Sequence, residues 1–166
     1  HSEIGFKVKH MMFTNVSGKF GTYSAEITTD GENFENADIQ FSADVASVDT
    51  ANADRDGHLR SGDFFDVENH PKLTFKASSF KKINAGSYEI TGDLNIKGVS
   101  KTVTFPVEYS GILTDPWGNT KVGLSIEGKI NRKDWGLNWN SALETGGVLV
   151  GEEVKLNIEL QFVKQA

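Results

Sequence analysis

The chain has 166 residues, a formal net charge of −6 and no cysteine. A chain of that length builds one domain with a sizeable core, expected to span residues 1–166. The missing cysteine excludes thiol nucleophiles, disulfides and thiolate metal sites together, and an acidic balance without a basic stripe argues against nucleic acid. No apolar run approaches the ~20 residues that cross a bilayer, so no membrane span is expected.

In chain order, Ile4, Phe6 and Val8 alternate with Lys7 and Lys9 and read as a first strand with one wet face. Met11, Met12 and Phe13 follow in an unusually apolar connection. A second strand begins at Val16–Gly21 with Phe20 inward, and the apolar phase then shifts to Tyr23, Ala25 and Ile27. Beside Gly21 that shift predicts a bulge or strong bend. Ile39, Phe41, Ala43 and Val45 form a third strand ending near Asp49.

Asn52 to Phe75 breaks the period of two. Arg55, Asp56, His58, Arg60 and Asp63 crowd together, and Phe64-Phe65 follow at once. Asp54, or Asn52 before it, can cap a short helix, so a helical plug is expected near 53–63 with Leu59 and the Phe pair on its buried side. His70-Pro71 reads as re-entry into a strand, because proline pushes the preceding residue toward an extended form.

Leu73, Phe75, Ala77 and Ser79 mark a fourth strand, and Tyr88, Ile90, Gly92, Leu94 and Ile96 a fifth. The sixth runs through Val103, Phe105, Val107 and Tyr109, with Pro106 on the opposite phase and expected at an edge, bulge or irregularity. Asp115-Pro116-Trp117-Gly118-Asn119 is a turn. Val122, Leu124, Ile126, Gly128 and Ile130 form a seventh strand, and Val154 to Phe162 an eighth. Between these two, a long non-periodic capping loop near 131–151 carries Trp135 and Trp139.

About eight meandering antiparallel strands suit a closed barrel or a two-sheet sandwich, and closure is preferred because it removes edges. An eight-stranded interior either fills with side chains or holds one small ligand. Ala25, Ala43, Ala77, Gly92 and Gly128 on the inward phases fit both outcomes.

The residues also point to a family. HSEIGFKVKH at 1–10, VSGKFG at 16–21, RDGHLRSGDFFDVENHPKLTF at 55–75, GDLNIKGVSKTVTFPVE at 92–108 and INRKDWGLNW at 130–139 resemble, in that order, the YceI-like, polyisoprenoid-binding family. The resemblance implies an all-β, extended antiparallel lipocalin-like barrel whose apolar lumen binds, sequesters or transports a long-chain lipid. Polyprenyl phosphates and polyprenyl quinones are the implied ligand class, with no cofactor beyond such a lipid.

Phe6, Phe20, Phe41, Phe75 and Phe105 fall on inward phases, and Val8, Val45, Leu94 and Leu124 join them as expected lumen residues. Met12, Leu59, Phe64, Phe65, Trp135 and Trp139 lie on elements able to cap a mouth. A dry core explains any one of these; together with the resemblance they favour a lipid tunnel. Arg55, His58 and Arg60 are head-group candidates, against the plainer role of fixing the plug to the rim.

An enzyme acting on such a lipid would need His58 and Asp56 as an acid–base pair. No GxSxG, HExxH or Gly-rich phosphate loop is present, and the four histidines lack ligand spacing, so neither catalysis nor a metal site is expected. A carbohydrate- or partner-binding module using Trp117, Trp135 and Trp139 is the rival from another class. The expectation is a soluble protein, with the cytoplasm slightly favoured, the periplasm also possible and a homodimer left open.

Overall fold

Alternation of apolar and polar residues persists over most of the chain, and the backbone answers with one ten-stranded antiparallel sheet. The structure, a computed structural model, describes residues 2–11, 14–30, 33–140 and 150–165. Its strands are β1 (Glu3–His10), β2 (Thr14–Phe20), β3 (Tyr23–Asp30), β4 (Asn33–Asp44), β5 (Val48–Asp49), β6 (Lys72–Asn84), β7 (Ser87–Ile96), β8 (Val99–Thr114), β9 (Thr120–Asn131) and β10 (Val150–Val163). Among the described residues one α-helix, α1 (Ala53–Arg60), stands between β5 and β6.

The sheet order β3-β4-β6-β7-β8-β9-β10-β1-β2-β5 closes on itself through chain continuity. β2 runs into β3 across Gly21-Thr22, and β4 runs into β5 across a 3₁₀ turn, Val45–Ser47. Gly21 N–H donates to the Ser47 carbonyl (3.2 Å) and Asp44 N–H to the Thr22 carbonyl (2.9 Å), so the two bent chains stay paired around the corner. Ten segments less two continuations leave the eight strands of a barrel, joined at the β1–β10 ladder as elsewhere.

That corner explains the phase shift expected at Gly21. It also corrects the third strand. Val45 is 2% exposed but winds into the 3₁₀ turn instead of continuing the inward row of Ile39, Phe41 and Ala43. Pro106 sits opposite Glu89 on β7 at the point where β8 parts from β9, whose ladder with β8 begins at Val107–Ile126. On that side β8 has no partner for Pro106 to deprive of a donor.

Asn52 caps α1 by accepting from Arg55 N–H at 3.0 Å. The residue that α1 buries is Asp56, not an apolar side chain. Phe64 and Phe65 lie beyond its end, in turns where their N–H groups donate to the Ser61 and Leu59 carbonyls (3.1 and 3.0 Å). His70 then lays its ring on Gly98, a glycine at φ +78° in the β7–β8 hairpin, which ties the α1 segment to the barrel.

The two ends of the barrel differ. At one, Phe80 stacks on Tyr88 (4.5 Å between centroids), Tyr88 meets Tyr109 edge-on (5.1 Å), and Phe34 packs on Tyr109 (5.5 Å). This aromatic floor fills the section. The other end carries α1, the β7–β8 hairpin and the segment that follows β9. Phe80 is fully buried; Phe80→Ala is therefore expected to lower stability by about 3–5 kcal/mol, read as a lower urea midpoint with an unchanged m-value.

Candidate functional site

Above the aromatic floor the barrel encloses an apolar cavity of about 600 Å³, within the ~300–1,000 Å³ range usual for one small-molecule ligand. Its walls come from the inward rows of nearly every strand. Ile90, Leu124 and Leu160 lie deep, and Phe6, Phe41, Phe75, Val154, Leu156 and Ile158 line it further along. Several of these inward residues, including Phe6, Phe41, Phe75 and Leu156, are only half-buried, because one side of each faces the lumen.

Three glycines set the bore. Phe6 lies across Gly18, its direct partner on β2; Phe75 lies across Gly92, and Phe105 across Gly128. A methyl group at any of the three would collide with the ring above it. Small inward residues thus accept aromatic rings close against the wall, and space still remains along the axis. Tight ring-to-wall packing and open space thus occur in the same barrel.

Of the expected lumen residues, Phe6, Val8, Phe20, Phe41, Leu59, Phe64, Phe65, Phe75, Leu94, Phe105, Leu124 and Trp139 line this cavity. Val45 does not, for the reason of phase given above. Trp135 does not either: it is 2% exposed and its indole N–H donates to the Leu94 carbonyl at 2.8 Å, which fixes the 3₁₀ turn Arg132–Trp135 to the wall. Met12 lies outside the described residues, as does the middle of the capping loop.

The mouth is an aromatic clasp between α1 and the segment after β9. The His58 ring meets Trp139 and Phe64 edge-on (4.6 and 5.1 Å), and Phe64 meets Trp139 at 5.5 Å. His58 also pairs with Asp63 through Nε2 at 2.9 Å. Asp56 takes no part in this. Its carboxylate faces the other way and accepts from Thr50 N–H (2.9 Å) and the Thr50 hydroxyl. The acid–base pair of His58 and Asp56 is therefore not formed, since residues two apart on a helix do not share a face.

Arg55 lines the mouth, held by Thr50 through Nε to the hydroxyl and Nη2 to the carbonyl, both 2.7 Å. Arg60 points away and donates to the Ala46 carbonyl at 3.5 Å. The sequence reading missed a third arginine. Arg132 is 3% exposed and borders the cavity. It donates to the carbonyls of Gly151 (2.8 Å), Trp139 (3.0 Å), Val150 (3.2 Å) and Leu137. Desolvation lowers its pKa, opposed by the Glu152 charge, and Glu152 is itself paired with Lys133 at 2.8 Å. The INRKDWG motif builds this point: Asn131 caps the turn and Gly136, at φ 79°, ends it.

The tryptophans do not form a shared platform. Trp117 is 83% exposed on the β8–β9 turn at the floor end, Trp135 is buried in the wall, and Trp139 is at the mouth. No helix among the described residues is long and apolar enough to cross a membrane.

A family model described as the YceI-like domain matches residues 1–162. The chain belongs to the YceI-like family. A UPF0312 protein of Staphylococcus epidermidis is 41% identical over 165 residues, covering 98% of this chain and 92% of the relative. The YceI protein of Campylobacter jejuni superposes with a TM-score of 0.81 at 33% identity, over 96% of this chain and 91% of that one. A polyisoprenoid binding domain from Saccharophagus degradans has the same fold, with a TM-score of 0.74 at 14% identity over 99% and 94% of the two chains.

The glycines that set the bore of this YceI-like barrel supply a direct check. A Cβ on Gly92 would press on the Lys76 backbone carbonyl as well as on Phe75. Gly92→Ala is expected to cost about 1–3 kcal/mol in chemical unfolding, as overpacking does, and to push the Phe75 ring toward the axis.

Proposed function

We propose that the chain is a binding protein, not an enzyme, and that it holds one long-chain isoprenoid lipid, a polyprenyl phosphate or quinone, for sequestration or transport. The observation that carries this reading is the apolar cavity of about 600 Å³, floored by aromatics and walled on all sides by Phe, Leu, Ile and Val. Family membership and the polyisoprenoid binding domain of S. degradans with the same fold support it. Each methylene buried against such a wall contributes about 0.8 kcal/mol, so the chain itself drives binding.

The site then selects by length and shape along most of its course. Catalysis is not part of this proposal: His58 is engaged by Asp63, and Asp56 by Thr50.

Native mass spectrometry of the purified protein, followed by solvent extraction, tests the reading. A bound species of several isoprene units is expected, or saturable uptake of an added prenyl quinone or phosphate. Leu156→Trp, which places an indole in the lumen, is expected to weaken uptake by about tenfold or more with the far-UV spectrum unchanged. Failure of the wild type to take up any isoprenoid would sink the proposal.

A further inference from the structure

The chain contains only three arginines, Arg55, Arg60 and Arg132, and all three lie at the mouth end of the barrel. Among the described residues none of them pairs with a carboxylate; each is held by oxygens of the backbone or a hydroxyl. Two of the three border the cavity. A guanidinium carries five N–H donors. Arg132 uses four on carbonyls, which leaves one on Nη2 with no partner among the described residues. Arg55 spends only Nε and one Nη2 hydrogen on Thr50, which leaves Nη1 without a partner among the described residues.

A guanidinium buried beside an apolar lumen without a paired anion is costly, and carbonyl dipoles offset that cost only in part. The remaining polarity of the lining is at the same end: among the described residues Asp54 is the one carboxylate in it, and it is exposed. Among the described residues the floor end offers no polar side chain to the cavity; Ile90, Leu124 and Leu160 close it above the Phe80–Tyr88 stack.

We propose that Arg55 and Arg132 form a head-group subsite at the mouth for a lipid whose polar end is a strong oxygen acceptor, a phosphate or a quinone-type carbonyl, bound with its chain pointing to the aromatic floor. The proposal rests on the reading of the lumen as an isoprenoid site. It adds the orientation of the ligand and the class of its head. Arg132 sits preset on four carbonyls, and its remaining Nη2 hydrogen has no partner among the described residues. Arg55 is fixed by Thr50, which Asp56 in turn holds, so the buried carboxylate of α1 acts as a positioning residue for this cation.

The test compares three probes of matched chain, geranylgeranyl phosphate, geranylgeraniol and the hydrocarbon phytane, by quenching of tryptophan fluorescence. In the wild type both oxygenated probes are expected to bind more tightly than phytane. Arg55→Gln is expected to weaken the phosphate by about tenfold, the scale of one charge-assisted hydrogen bond, while phytane changes less than twofold. Arg132→Lys should act in the same direction, and Arg55→Gln keeps the test open if that variant does not fold. A phosphate preference that shrinks with added salt assigns an anionic head; a salt-independent preference for oxygen assigns a neutral acceptor. Equal affinity for all three probes, or equal weakening of all three by Arg55→Gln, overturns the subsite and leaves the lumen reading standing. Binding of none of them overturns the lumen reading itself.

Discussion

The structure depends on aromatic rings pressed against glycines. Phe6 over Gly18, Phe75 over Gly92 and Phe105 over Gly128 put aromatic surface on the barrel wall without sending it to the axis. If those glycines carried side chains, the rings would have to stand up into the interior, and an eight-stranded bore has room for little else. Because they do not, the lumen stays continuous from the mouth to the Phe80–Tyr88 stack. A wall of this kind presents surface and little chemistry. Under the proposed function it would engage a flexible hydrocarbon by contact area, which suits a ligand of repeating apolar units.

The polar groups are kept to the rim, and their arrangement there is economical. α1 is a polar helix that buries an aspartate, so it cannot be held down by an apolar stripe as most surface helices are. Thr50 replaces that stripe: it donates twice to Asp56 and accepts twice from Arg55. On the far side of the mouth, Arg132 gathers carbonyls from both flanks of the capping segment. The His58–Phe64–Trp139 contact then joins the two sides. Each cation is thus preset by uncharged oxygens, which leaves its positive charge available where the lumen opens.

Much of this was legible in the residues. Alternation located the strands to within a few positions, the loss of period at Asn52 marked the helix, and the phase shift beside Gly21 marked the corner. The inward phenylalanines were readable for the same reason: in a strand the side-chain period is two, so one buried residue fixes the face of its neighbours. That logic failed at Val45, where a 3₁₀ turn interrupts the period, and at Trp135, whose indole N–H needed a buried partner and found the Leu94 carbonyl in the wall. Arg132 gave a faint signal, as one of only three arginines in a chain richer in lysine. Nothing local reveals that it is buried, since its partners lie up to 19 residues away.

The sequence by itself therefore determined the all-β architecture, the family and the greasy face of each strand, because these follow from local periodicity and motif. Only the tertiary structure decided whether that greasy face encloses space. A void is set by how rings from one strand meet small residues on the next, and by where the sheet closes. Those are relations between segments far apart in the chain, and no single stretch of residues contains them.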